Sequence, residues 1–297
     1  MSKPYSIWLC TLSASLYYFF FTCLVMSTKK SITTDEFALL GFKSSITLDP
    51  YHMLSNWSIP SKSSFLSSCK WVGVTCDEHH GRVKALNLSN MGLQGTISPQ
   101  LGNLSFLVVL DLQGNSFHGE LPQKLFKINL SIQELHLSNN SLTGEIPKGI
   151  IDLTQLKTVN LEYNILTGNI LFMFDNSSSL QYLNLGFNNL SGILPSNVCQ
   201  GLPNLKLLYL FANEFSGKVP KVWRYCKELE DLELSFNNFD KGPLSADIGN
   251  LTKLQYLYLS NNNLEGKIFF TNKLIVYLLF LESVYINICL IHAWMGL

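Results

Sequence analysis

Charge is scarce in this chain of 297 residues: Asp, Glu, Lys and Arg together make up 14%, and 21 basic side chains balance 21 acidic ones. A neutral chain lacks the cationic footprint that phosphate neutralisation requires, which excludes nucleic acid as a partner. Also missing are Gly-x-Gly-x-x-Gly, Gly-x-x-x-x-Gly-Lys-Ser/Thr, Cys-x-x-Cys and His-Glu-x-x-His, the spacings that cradle phosphates or hold metals. No Ser, His and Asp grouping reads as a triad. The chain is therefore expected to be no enzyme, to use no cofactor and to hold no metal. His79 and His80, after Cys76-Asp77-Glu78, are expected to form a solvated turn. What the chain does contain is apolar: 47% of residues, which excludes disorder over most of its length.

That apolar content is uneven. From Ile7 to Met26 the chain carries no charge, with Lys3 before it and small-residue positions at Val25 and Ser27 after it. A basic start, an apolar run and a small-residue cleavage site make residues 1–27 a secretory signal peptide. The competing reading is an uncleaved anchor, because the run is long enough to span a bilayer. Either sends the rest into the secretory pathway, where disulfides persist. Residues 269–297 form a second apolar stretch, read as either a transmembrane segment or an aberrant truncation. Glu282, Asn287, His292 and the lack of a following Lys or Arg weigh against a span.

Residues 81–268 repeat. Asn115, Asn140, Asn164, Asn188, Asn213, Asn237 and Asn262 follow one another at intervals of 24 or 25. Five and three residues before each stands an aliphatic pair such as Leu110/Leu112 or Leu183/Leu185, and two residues after each comes Leu or Phe. A Gly and an aliphatic-Pro pair usually follow, as at Ile146-Pro147. With a first unit in which Met91 takes the Asn position, about eight units match L-x-x-L-x-L-x-x-N-x-L-x-G-x-I-P, the leucine-rich-repeat pattern. Alternating aliphatics make a short strand with one buried face, and units that cannot bury that face alone must stack into a parallel sheet. The Asn, polar in an apolar column, must be hydrogen-bonded. The Gly and Pro turn the chain into an extended return path. The expected fold is an α/β leucine-rich-repeat solenoid: a parallel sheet on the concave face, an irregular or 3-10 convex side, and a helical, disulfide-stapled N-terminal cap. The seventh unit has Lys241 in the Gly position and one inserted residue, which predicts a bulge. The last unit should fray at Leu257, Leu259 and Leu264 unless the tail folds back across it.

The cap is placed at residues 28–80. Thr33 stands three before Glu36, a capping box, and Leu39, Phe42 and Ile46 fall on one helical face. In a secreted chain, Cys69 and Cys76 beside Trp71 read as a disulfide stapling a small cap. Cys199 and Cys226 sit at similar offsets in adjoining units, either as a disulfide or as two buried thiols. Eight Asn-x-Ser/Thr sequons occur; Asn56, Asn103, Asn129, Asn176 and Asn250 are the expected glycosylation sites, whereas Asn87 and Asn139 point from the strand face, where a glycan would obstruct a partner.

The run D-E-F-A-L-L-x-F-K (Asp35 to Lys43), then Asp49-Pro50, Leu54, Trp57 and C-K-W-x-G-V-x-C (Cys69 to Cys76), resembles the N-terminal cap of plant extracellular leucine-rich-repeat receptors. The L-x-G-x-I-P segment is the plant-specific form of the repeat. This resemblance implies a ligand-binding ectodomain for an extracellular peptide or protein, with a co-receptor as a further partner, at the plasma membrane or in the cell wall. The chain departs from the family's pattern after Ile268, where no kinase motif follows. A truncated receptor is the expected reading. The alternatives are a secreted inhibitor of cell-wall-degrading enzymes and a gene fragment with no independent function.

Strand positions between the aliphatic pairs face the concave side, in the order Asn87, Asp111, His136, Asn160, Asn184, Tyr209, Glu233 and Tyr258. Tyr163, Tyr182, Phe187, Phe211, Phe236 and Tyr256 flank this column. Aromatics beside a carboxylate are the usual make-up of a binding hot spot. The expected ligand-binding residues are Tyr209, Phe211, Glu233, Tyr256 and Tyr258. In the family resembled, the positions of Phe187 and Phe236 often carry a packing aromatic.

Overall fold

The computed structural model describes residues 34–58, 68–128, 131–175, 177–196, 198–269, 275–278 and 285–287. The signal-peptide reading, Thr33 of the capping box, Asn129, Asn176 and most of the tail lie outside them. Among the described residues, no helix is long and apolar enough to cross a membrane.

Each repeat contributes a three- to five-residue strand to one sheet, running from Val83–Asn87 through Val109–Asp111, Glu134–His136, Thr158–Asn160, Tyr182–Asn184, Leu207–Tyr209 and Asp231–Glu233 to Tyr256–Tyr258. All these pairings are parallel. The aliphatic pairs of the repeat, such as Leu110/Leu112 and Leu208/Leu210, are fully buried in one continuous core. No repeat could bury them alone, so stacking is what folds the chain.

The return path is more ordered than an irregular convex side. After each ladder Asn, the chain forms a second strand: Gln94–Thr96, Ser116–Glu120, Ser141–Glu145, Ile165–Asn169, Asn189–Ile193, Glu214–Gly217 and Asn238–Phe239 pair in parallel into a second sheet. Gly at the fourth position after the ladder Asn takes a positive φ, 73° to 99° from Gly119 to Gly217, which lets the strand turn away without a Cβ clash. Short 3-10 helices such as Pro99–Asn103, Lys148–Asp152 and Ala246–Asn250 cover the convex side, with one α-helix at Gln123–Ile128.

The ladder is why Asn recurs. Asn164 donates through Nδ2 to the carbonyls of Leu137, Leu161 and Glu162 at 3.0, 3.0 and 3.3 Å, while its Oδ1 accepts from Leu142 N at 2.9 Å. Asn140, Asn188, Asn213 and Asn237 repeat this pattern. One side chain thus satisfies four backbone groups across two repeats. At the far end the pattern loosens: Asn262 keeps its three donated bonds, but its Oδ1 is buried with no partner. The cause lies one repeat back. The insertion predicted to bulge shifts the register, so the second sheet stops at Phe239 and a new one starts with Gly242–Pro243 paired to Leu264–Phe269.

The N-terminal cap is a helix over 34–43 with Leu39 and Phe42 buried. Ile46 lies beyond the helix and opens a strand, Ile46–Leu48, that pairs antiparallel with Gln94–Thr96. Trp57 stacks on Trp71 at 5.5 Å and donates from Nε1 to Val72 O at 3.0 Å. Cys69 and Cys76 are disulfide-bonded, with Cα atoms 5.5 Å apart, and Val74–Cys76 closes the first sheet antiparallel to Val83–Asn87. Cys199 and Cys226 are also disulfide-bonded, with Cα atoms 4.9 Å apart, joining adjoining repeats. At the other end the tail folds back: Ile275–Leu278 pairs antiparallel with Leu264–Phe269, and Tyr285–Asn287 with Tyr256–Tyr258. Leu257, Leu259 and Leu264, the positions expected to form an uncapped apolar end, are buried.

Candidate ligand-binding face

The first sheet's register brings the predicted column together. Asn87 stands beside Asp111, Asp111 beside His136, and so on through Asn160, Asn184, Tyr209 and Glu233 to Tyr258. A second column two residues earlier on each strand runs through Tyr182, Leu207, Asp231 and Tyr256. Glu233 therefore lies between Tyr209 and Tyr258, and Asp231 lies between Leu207 and Tyr256. Sequence reasoning missed Asp231, although its period-two spacing from Glu233 already put both carboxylates on one face.

All five predicted residues are half-buried on this face. Tyr209 Oη donates to Asp231 Oδ2 at 3.4 Å, and Tyr256 and Tyr258 lie nearly parallel with ring centres 6.3 Å apart. Burial is the main cause that pushes the carboxyls of both Asp231 and Glu233 above the usual range; Glu230 adds to the shift at Asp231. The Tyr209 hydroxyl is raised too, by burial first and by the Asp231 charge second. Ser235 N donates to Glu233 Oε1 at 3.3 Å, while Asp231 Oδ1 is buried and unpartnered. Among the described residues no Lys or Arg pairs with either carboxylate, the nearby pair Lys253–Glu228 being satisfied at 2.6 Å. Among the described residues the site is a tyrosine-walled acidic patch without a counter-charge.

Phe211 ties this patch to the flank, meeting Tyr209 edge-on at 6.2 Å and Phe187 edge-on at 5.1 Å. Gly186 makes this possible, since a Cβ there would run into the Phe211 ring. Phe187 stacks on Tyr163 with centroids 4.1 Å apart. Phe187 and Phe236, the positions to which the resemblance assigns a packing aromatic, are not enclosed in the core. The two are 41% and 53% exposed, as Tyr163 is at 49%. The residue preceding each ladder position is left-handed in all eight repeats, including Tyr163, Phe187 and Phe236 with φ of 53°, 49° and 56°. That conformation disfavours bulky residues and turns their side chains outward. Asn or Gly at this position in four of the other five repeats, Asn90, Gly114, Asn139 and Asn261, was the available signal, the fifth carrying Ala212.

The remaining expected sites are dispersed. Asn56 hydrogen-bonds Lys70 O and Val72 N within the cap, Asn103 bonds Gln100 Oε1 on the convex side, and Asn250 is exposed at a 3-10 helix end. Asp77 accepts from His80 Nδ1 at 2.8 Å and from the His79 and His80 amides; the His80 hydrogen bond is the leading cause that lowers its pKa to about 2. This is the expected solvated turn, and among the described residues no three metal-binding side chains converge.

Comparison with known proteins agrees with this architecture. Residues 32–77 match the Leucine rich repeat N-terminal domain, 105–166 match Leucine rich repeat, and 179–200 and 253–271 match Leucine Rich Repeat. The chain is 34% identical over 145 residues to the LRR receptor-like serine/threonine-protein kinase GSO2 of Arabidopsis thaliana, covering 48% of this chain and 11% of that protein. Among solved structures, the PEPR1–AtPEP1 complex aligns with a TM-score of 0.72 and 31% identity over 79% of this chain and 32% of that one. The LRR ectodomain of the Arabidopsis thaliana membrane receptor kinase GASSHO1/SCHENGEN3, in complex with CASPARIAN STRIP INTEGRITY FACTOR 2, aligns with a TM-score of 0.72 and 32% identity over 79% and 27%. The chain thus spans about a tenth of the curated relative's length and about a third or less of these ectodomains.

Proposed function

We propose that the chain is a plant leucine-rich-repeat receptor ectodomain that binds an extracellular peptide or protein through Tyr209, Phe211, Glu233, Tyr256 and Tyr258, with Asp231 as a sixth contact. The observation that carries this reading is the pair of half-buried carboxylates that have no cationic partner among the described residues. Buried charge is normally paired, and a ligand Lys or Arg supplies the missing partner. Tyr209 and Tyr258 flank Glu233 on neighbouring strands, placed to take the stem and head of such a side chain by cation–π contact. The Phe211 and Tyr256 rings supply apolar area around the charge, the composition of a binding hot spot. The reading is one of recognition and not of catalysis. Relatives solved with AtPEP1 and CASPARIAN STRIP INTEGRITY FACTOR 2 support a peptide as the ligand class. It places residues 28–80 as the cap and 81–268 as the binding solenoid, delivered through the secretory pathway to the plasma membrane or cell wall.

The test is selection from a random linear-peptide display library on the secreted protein. Enriched peptides should share a Lys or Arg, and a selected peptide should bind Asp231→Asn/Glu233→Gln at least about tenfold more weakly. Enrichment of peptides without a cation, or unchanged affinity in the double variant, would overturn the assignment.

A further inference from the structure

The flank beside this face carries a feature that ligand binding does not use. Asn139 begins the sequon Asn139-Asn140-Ser141. Asn140 is the ladder residue, turned inward to the carbonyls of Leu112, Leu137 and Ser138. Asn139, left-handed with φ of 54°, and Ser141 are both exposed, and among the described residues no hydrogen bond holds the Asn139 side-chain amide. Asn87, by contrast, is occupied with its own sequon: its Oδ1 accepts from the Ser89 hydroxyl at 2.8 Å.

The next rung up from Asn139 is Tyr163. Asn140 N donates to Tyr163 O at 3.1 Å, and both residues share the same left-handed backbone. Their side chains leave the sheet in the same direction, one strand spacing of about 4.8 Å apart. The rung after that is Phe187, whose ring covers one face of Tyr163 at 4.1 Å with planes 14° apart. Because these rings stack along the direction in which the repeats follow one another, the free face of Tyr163 is turned toward the rung of Asn139.

We propose that Asn139 is an N-glycosylation site whose first sugar lies flat on the free face of Tyr163. During entry to the secretory pathway Asn139 Nδ2 takes an oligosaccharide from a lipid-diphosphate donor, the new C1–N bond forming as the C1–O bond to the diphosphate breaks and the amide gives up a proton, so the site rests on the extracellular reading above. A pyranose carries one apolar face of C–H bonds, which matches the electron-rich face of an exposed ring. The Tyr163–Phe187 pair backs that contact with a second ring, and the sugar covers apolar surface that is otherwise open to water. The acceptor here lies one rung from the aromatic flank, where a glycan orders the edge of the binding face instead of blocking its centre.

The test is site-resolved glycopeptide mapping and thermal melting of the full chain secreted from plant cells. Asn139 should be occupied, and enzymatic removal of its glycan should lower the Tm by about 2 °C. Ser141→Ala, which removes the sequon but keeps Asn139, should show the lower Tm from the start. In Tyr163→Ala, glycan removal should no longer shift the Tm, while Tyr163→Phe should keep the shift. The fold accepts alanine here, since Ala212 occupies the same position with φ of 50°. An unoccupied Asn139 in a protein glycosylated at Asn250 would overturn the site and leave the extracellular reading standing; no occupied sequon at all would overturn both. Occupancy with an equal Tm shift in parent and Tyr163→Ala would overturn the stacking.

Discussion

The two ends of the solenoid share one backbone and use it differently. Repeats one to three present Asn87, Asp111 and His136 in the central column, and they are locked to the cap by an ion pair that the sequence did not announce. Arg82 reaches Asp35 through Nε and Nη2 at 2.8 and 2.7 Å, and Asp35 Oδ2 also accepts from Val83 N at 3.0 Å. Repeats six to eight present Tyr209, Glu233 and Tyr258 in the same column. There the carboxylates lack counter-charges, the second sheet is interrupted, and the last ladder Asn has an idle Oδ1. The comparison teaches that the repeat consensus secures the backbone up to the inserted residue near Lys241, while the side chains of the concave face are left free to differ between the two ends.

The largest expected effect lies at the secured end. Asp35→Ala leaves Arg82 buried without its partner and should cost about 3–5 kcal/mol, read as a loss of the earliest melting protection in hydrogen exchange over 68–112. A change under ~1 kcal/mol would erase the contrast between the ends. The disulfides sharpen it next. In the chain-entropy picture, opening Cys199–Cys226 with serines should cost about 3–4 kcal/mol, against about 2–3 kcal/mol for the shorter Cys69–Cys76 loop, measured by urea unfolding of each double variant. Equal costs would mean that loop length is not the controlling quantity.

The ladder offers a like-for-like comparison between repeats. Asn188→Ala removes a side chain that serves four backbone groups and should destabilise by about 3 kcal/mol, whereas Asn262→Ala, whose Oδ1 already serves nothing, should cost about 1 kcal/mol less. The smallest effect concerns pH. Glu233 has a folded pKa raised above 4.5 by burial, so its contribution to stability is fully present below that value and is lost as pH rises through the folded pKa. Glu233→Gln should therefore flatten the fall in Tm between mildly acidic and neutral pH, and an unchanged slope would contradict the burial assigned to this carboxyl.

What could be read from the sequence follows from which forces act within one repeat. The aliphatic pairs, the Asn spacing and the inserted residue near Lys241 are local, periodic constraints, and each fixed a feature that the fold carries. Cys69–Cys76 was legible from its short spacing beside Trp71, and the repeat length puts Cys199 and Cys226 above one another, although the sequence left a disulfide and two thiols both open. Asp35–Arg82 was not legible, because 47 residues separate partners that only the docking of the cap brings together. The second sheet was read as a plain return path because its strands carry a single buried apolar residue, such as Phe117 or Leu142, followed by a Gly, instead of an alternating aliphatic pair. Asp231 was passed over for a different reason: in the acid-rich run Glu228 to Glu233 it reads as one more solvated charge, until the fold shows it half-buried beside Tyr209. The outward turn of Tyr163, Phe187 and Phe236 depends on a left-handed backbone that aromatic residues do not advertise.

The central claim is that binding belongs to the far end of the concave face. Its most direct measurement is the affinity of one display-selected peptide for three proteins: the parent, Tyr209→Ala/Tyr258→Ala and His136→Ala, each with a parent-like circular dichroism spectrum. Truncating each tyrosine should weaken binding by about 1–2 kcal/mol, so the double variant should lose at least about tenfold in affinity while His136→Ala binds like the parent. Parent-like affinity in the double variant, or an equal loss in His136→Ala, would contradict the account.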